Sequence, residues 1–306
     1  MGVEEFLAAD YKQEALLEGL LGVGDFMLIA GATEVGKSYL AKQLAYEIAT
    51  GGNFLGRWNV HRPFKTLFIQ GEIGRQAFQT RLAKFGRYYG ETPNLQVATH
   101  YSYRLDEQVN WKVLSEVLEK NKTQVLVLDP MRPFHLGDEN SSQDMERFFG
   151  AVRELKQDLT IIQTQHERKP QKGEKVTMAD IRGSALITDR PDVVVHLSRE
   201  KSKWKLVYEK MRNAETVEKP DDEELKVGRS GLFVHIDEKG RAITDADVLA
   251  AVGKGEKMRE DVVKALELKA SPSTAGRAIT RLVDSGKLEM WKSEDDGKAK
   301  KVRVVT

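Results

Sequence analysis

With 306 residues, the chain can build one large α/β domain plus a small appendage, or two modest domains, and a composition 40% hydrophobic and 31% charged places it apart from disordered or membrane classes. The 48 Lys+Arg and 47 Asp+Glu leave a formal charge of +1, so affinity for a polyanion has to come from local clusters. The absence of cysteine removes disulfides, thiolate metal sites and cysteine nucleophiles, and the lack of a long apolar run or a basic secretory start at MGVEEFLAAD points to a cytoplasmic protein.

The first continuous apolar run, FMLIAG (26–31), reads as a buried strand leading straight into GATEVGKS (31–38) and a helical pattern over 37–50. GATEVGKS matches the P-loop pattern G-x-x-x-x-G-K-[ST] in full, in the strand-to-helix position that its chemistry requires. Gly31 and Gly36 permit a tight loop whose N–H groups converge on phosphate oxygens at the positive end of a helix dipole. Lys37 is expected to reach the β- and γ-phosphates of ATP, and Ser38 to offer its hydroxyl to Mg²⁺. The nucleotide-binding stretch is therefore Gly31, Ala32, Thr33, Glu34, Val35, Gly36, Lys37, Ser38 and Tyr39.

TLFIQGE (66–72), QVLVLD (124–129) and TIIQTQH (160–166) are equally continuous, as strands of a parallel sheet covered on both faces are. Helical patterns at 75–89 and 143–157 alternate with them, the rhythm of a doubly wound α/β domain. Asp129 closes its strand with a carboxylate placed for the Mg²⁺ shell, although a plain strand-end cap before Pro130 would look the same. Glu72, on the same sheet edge, is placed either to deprotonate a water attacking the γ-phosphate or simply to open a loop. His166, after Gln165, faces the same crevice, as a γ-phosphate sensor or as a structural histidine. DVVVHLSR (192–199), KWKLVYEK (203–210) and GLFVHID (231–237) read as an antiparallel extension, with the charged stretch 214–230 as its loop.

Near residue 238 the composition turns polar and glycine-punctuated, which divides the chain into an ATPase domain (1–237), a linker (238–255) carrying at most a short helix, and a small domain (256–306). Within the last, helical spacing at 258–269, a cap at SPST, a second helix over about 273–284 and two terminal strands predict a winged helix-turn-helix. Its recognition helix would present Ser273, Thr274, Arg277 and Arg281, with Lys287, Lys292, Lys298, Lys300 and Lys301 near the wing, to duplex DNA or to a protein partner.

Four segments together, GATEVGKS, the GE after the second strand, VLVLDPMRPFHLGDENSSQDMERF and ADIRGSALITDRPDVVVHLSR, carry a family likeness over roughly residues 20 to 212. The chain resembles the RecA-like hexameric ATPases, within them the RepA-type plasmid replicative helicases, with DnaB-type helicases as more distant relatives. The resemblance implies a RecA-like fold, ATP hydrolysis with Mg²⁺, Glu72 as catalytic base and His166 as strand-end sensor. It also implies a homo-oligomer, a hexamer in this family, because a basic side chain from the neighbouring subunit completes the site. Lys210 and Arg212 of EKMRNA, or Arg182 of the RGS segment, are the two candidates, and the sequence leaves the choice open. Single-stranded DNA would meet the loops 131–142 and 167–180, the second of which carries Arg168, Lys169, Lys172 and Lys175. A helicase or translocase in replication or recombination is the leading expectation. A filament-forming annealing ATPase and an ATP-gated regulator or loader are its competitors.

Overall fold

The computed structural model describes residues 2–9, 13–99, 104–155, 158–167, 180–212, 220–228, 232–236, 245–266, 272–292 and 300–305. A short helix, α1 (Val3–Ala8), precedes an antiparallel pair, β1 (Ala15–Leu17) and β2 (Leu21–Gly22). Then come β3 (Phe26–Gly31), α2 (Lys37–Thr50) and a tight hairpin, β4 (Asn53–Phe54) with β5 (Trp58–Asn59). They are followed by β6 (Thr66–Gln70), α3 (Arg75–Tyr89), β7 (Leu95–Thr99), α4 (Gln108–Asn121) and β8 (Val125–Asp129). A 3-10 turn (Arg132–Phe134), α5 (Ser142–Glu154), β9 (Thr160–His166) and α6 (Leu186–Asp189) lead to β10 (Val193–Glu200), β11 (Lys203–Met211), β12 (Glu223–Val227) and β13 (Phe233–His235).

Nine of these strands form one sheet in the order β13-β12-β11-β10-β3-β9-β8-β6-β7. From β10 to β7 all neighbours run parallel, and β11, β12 and β13 add an antiparallel margin. The strand over 192–199 thus pairs antiparallel with β11, as expected, and also parallel with β3, so it joins the antiparallel margin to the parallel sheet. The stretch 214–230, read as a loop, contains β12, whose Glu223 is buried under the Tyr208 hydroxyl and beside Arg57.

The strand period of two divides the core between the faces. Met27, Ile29, Val125 and Val127 turn to one side, against the Leu40, Ala41, Leu44 and Ile48 stripe of α2. Phe26, Leu28, Ala30, Leu126 and Leu128 turn to the other, against Leu114 and Leu118 of α4 and Met145, Phe148, Phe149 and Val152 of α5. The i, i+3, i+4, i+7 spacing of that last set makes α5 amphipathic, and Ser141 caps its start by accepting from the Asp144 N–H at 3.3 Å.

The remainder comprises α7 (Asp245–Val252), β14 (Glu256–Met258), α8 (Arg259–Ala265), α9 (Pro272–Asp284), β15 (Leu288–Lys292) and β16 (Lys300–Val304), with the strands ordered β14-β16-β15. Val248 and Val252 of α7 share a core with Val262, Ile279, Leu282, Leu288 and Val302. The stretch expected as linker therefore supplies a helix to this small unit. Among the described residues no helix is long and apolar enough to cross a membrane.

Candidate nucleotide site

At the centre of the sheet β3 ends at Gly31 between β10 and β9. A Cβ at Gly31 would lie 2.3 Å from the Leu197 carbonyl of β10, so the close approach of the two strands demands glycine. Glu34 (φ 63) and Gly36 (φ 110) turn the chain through the left-handed region, and α2 begins at Lys37. The first N–H groups of a helix lack intrahelical partners, which leaves them and the dipole for an anion.

Lys37 is 4% exposed and folds back into the loop. Its Nζ donates to the Gly31 and Ala32 carbonyls at 2.8 and 2.7 Å and lies 3.1 Å from His166 Nδ1. Burial pushes its pKa down to about 8, against the opposing pull of the Glu167, Asp129 and Glu72 carboxylates. An accepting Nδ1 leaves the His166 proton on Nε2, which stands 3.6 Å from Glu72 Oε1. The imidazole is thus interposed between Lys37 and Glu72. The His166 contact, with Lys37 beyond it, holds the half-exposed Glu72 carboxyl below the usual carboxylate range in spite of partial burial.

Asp129, at the tip of β8, accepts from the Ser38 hydroxyl at 2.8 Å and from the Thr164 hydroxyl at 2.7 Å. Lys42, one turn along α2, donates to the Ser38 carbonyl at 2.8 Å and lies 3.4 Å from Asp129 Oδ2. Sequence reasoning overlooked Lys42 and Thr164. A lysine one helical turn beyond Ser38, beside the apolar stripe of α2, was the available signal for the first. Gln70 of β6 pairs with Asp129, so Glu72 follows on the same edge. Gly31, Lys37, Ser38, Glu72, Asp129 and His166 are thereby assembled in one crevice at the carboxyl ends of parallel strands.

Other expected residues lie elsewhere. The Arg182 amide donates to the His166 carbonyl at 3.2 Å, and Gln165 Nε2 to the Arg182 carbonyl at 3.2 Å, which keeps this segment at the nucleotide edge with an exposed Arg182 side chain. Ser184 N–H donates to the Glu139 carbonyl at 2.6 Å, tying it to the loop after β8. Lys210 and Arg212 occupy the opposite edge: Met211 pairs with Val193, which pairs with Met27 at the start of β3. There Lys210 donates to the Thr188 and Asp189 carbonyls at 3.1 and 2.7 Å, and Arg212 to the Asp189 carbonyl at 2.8 Å.

Arg168, Lys169, Lys172 and Lys175 lie outside the described residues, as do the side chains of Ser273, Thr274 and Arg277 and the whole of Lys298. Arg281 is described, and the structure turns it inward instead of presenting it on a recognition face. Its guanidinium bonds the Gly56 carbonyl of the β4–β5 turn and the Asp245 carboxylate, and its side chain is 11% exposed.

The family model described as "AAA domain" matches residues 3–172. A search of curated protein sequences returns no match. Among solved structures, one described as an ATPase domain is 15% identical with a TM-score of 0.54, over 76% of this chain and 95% of that one. A DnaB-like replicative helicase, whose structure describes its interactions with primase, is 13% identical with a TM-score of 0.55, over 76% of this chain and 66% of that one. A KaiC-like protein of Pyrococcus horikoshii is 19% identical with a TM-score of 0.52, over 72% and 94% respectively. These likenesses, with the parallel sheet and its antiparallel margin, show the RecA-like fold. With more than half of its length matched, the chain belongs to the AAA domain family.

Proposed function

We propose that this chain binds ATP along residues 31–39 and hydrolyses it as an oligomeric, nucleic-acid-dependent translocase or helicase. The observation that carries the reading is the convergence of Lys37, Ser38, Asp129, His166 and Glu72 at one sheet edge around a helix N-terminus. Lys37 exchanges its two loop carbonyls for β- and γ-phosphate oxygens. A serine hydroxyl and a carboxylate 2.8 Å apart are hard oxygen donors that suit Mg²⁺. Mg²⁺ held by Ser38 and Asp129 would neutralise charge on the phosphates.

Glu72 accepts the proton of a water attacking the γ-phosphorus, and the bond to the β–γ bridging oxygen breaks, releasing ADP and phosphate. His166, touching both Lys37 and Glu72, registers whether the γ-phosphate is present and passes this to the segment beyond β9. Lys210 and Arg212 face away from their own P-loop, which supports a role at a neighbour's site, while Arg182 remains the candidate at the near edge. Arg168, Lys169, Lys172 and Lys175 are proposed to follow a single-stranded DNA backbone.

The order of helices and strands over 245–304, with the sheet arranged β14-β16-β15, supports a winged helix-turn-helix. The inward Arg281 favours a second reading for that unit, an ATP-gated regulatory module docked on the ATPase domain.

The test is phosphate release with and without single-stranded DNA, beside ATP binding. Stimulation by DNA is expected. Lys37→Ala should lose nucleotide binding, whereas Glu72→Gln should bind ATP yet turn it over about 10²–10⁴-fold more slowly. Equal loss of binding in both variants refutes the role of Glu72, and dependence on a small acceptor in place of DNA refutes the motor.

A further inference from the structure

The P-loop has an outer wall built from residues far beyond it in sequence. Trp204 of β11 donates its indole N–H to the Val35 carbonyl at 2.7 Å. Phe233 of β13 covers the joint between loop and helix so closely that a Cβ at Gly36 would lie 3.0 Å from its ring. The two rings meet edge to face, 5.4 Å apart, and Phe233 meets Tyr39 in the same way at 5.8 Å. Arg199 lies over the Trp204 ring at 4.4 Å.

The wall is itself pinned to the helix it shields. Gln43 of α2, 3% exposed, donates its amide to the Phe233 carbonyl and accepts from the Phe233 N–H, both at 2.8 Å. Its side chain thus bonds that residue as a neighbouring strand would, and β13 cannot drift from α2 without leaving buried polar groups unpaired.

From this geometry we infer that Trp204 and Phe233 are positioning residues that set the shape of the phosphate-binding loop; the inference rests on the ATP-binding reading above. A peptide carbonyl turned into the loop would set its negative end against phosphate oxygens. The Trp204 N–H holds the Val35 carbonyl outward, so the amides that follow, at the start of α2, keep their positive ends toward the hollow. Phe233 closes the space into which the Gly36 hinge would otherwise swing, since a glycine there permits many conformations that do not bind. Neither side chain touches the reacting atoms. Their action is on ground-state binding of the triphosphate.

The experiment uses the full chain with Trp204→Phe and, separately, Phe233→Leu. ATP affinity, KM, kcat, melting temperature and tryptophan emission are measured for each. Trp204→Phe removes the hydrogen bond that holds the Val35 carbonyl outward, and Phe233→Leu the ring that closes the space at Gly36; each should weaken ATP binding and raise KM by roughly threefold to tenfold. The change in kcat should be less than about twofold, because Glu72 and His166 are untouched. ATP should alter tryptophan emission in the unaltered chain, and Trp204→Phe should abolish that response while Trp58, Trp111 and Trp291 remain. Unchanged affinity in both variants, or lowered stability without weaker binding, overturns the clamp alone. Failure of the unaltered chain to bind ATP overturns the parent reading and the clamp with it.

Discussion

At the scale of single residues, Lys37 shows what burial does to an ammonium. Buried against two backbone carbonyls it is poorly solvated, and its pKa of about 8 reflects that. The charged form prevails below this value and, in the proposed role, is the form that binds phosphate. ATP affinity should therefore be nearly flat up to about pH 7.5 and weaken as pH rises toward 9, by up to about tenfold per unit, as read by calorimetric titration. An affinity independent of pH across that range would refute the assigned role. The lysine itself was legible because the motif surrounds it in sequence. Its contact with His166 was not, since 129 positions separate them and only the register of β9 beside β3 brings them together.

At the scale of elements, α2 is the hub. Its apolar stripe fills the core, yet Lys42, Gln43 and Glu47 are also buried, and each has a partner on a different element. Glu47 accepts from the Tyr89 hydroxyl at 2.6 Å and from the Asn53 N–H at 3.0 Å, and burial still pushes its pKa up to about 7. An acid whose folded pKa lies above its unfolded value stabilises the fold in its protonated form. That contribution is complete below about pH 4.5 and lost as pH rises through 7. Glu47→Gln keeps the shape and an acceptor without the charge. It should be more stable than the unaltered chain at pH 8 by about 3 kcal/mol and little different at pH 4.5, in denaturant titrations at both pH values.

The elements that could be read in advance share one property. Runs such as FMLIAG and the VLVL before Asp129 are continuously apolar because both sheet faces are covered, and α2 and α3 are bounded by glycines at 36, 51, 74 and 90. LQVAT of β7 is half-exposed at the sheet edge and shows no such run. EELKV of β12 hides a glutamate whose burial depends on Tyr208 and Arg57, and no local pattern announces that. Arg281 looked like surface on a helix wheel, and its partners at Gly56 and Asp245 come from outside its own helix.

At the scale of the molecule, the arrangement of edges carries the prediction. Within one chain Lys210 and Arg212 sit across the sheet from the P-loop, so hydrolysis through them requires a second copy. On the proposed assignment, Lys37→Ala chains, without a nucleotide site, and Arg212→Ala chains, without the donated cation, should each be nearly inactive. Their mixture should regain a measurable fraction of the ATPase rate, because some junctions then pair an intact P-loop with an intact arginine. A mixture no faster than its components removes Arg212 from that role and leaves Arg182.

The tie between Gln43 and Phe233 has a practical corollary for anyone trimming the gene. The recognisable family signature stops at residue 172, yet the hydrogen bonds that brace α2 reach 190 positions downstream. A minimal fragment ending near 172, or even at 228, would retain every residue of the matched stretch and still forfeit the bracing strand. Expression boundaries should extend to at least residue 236.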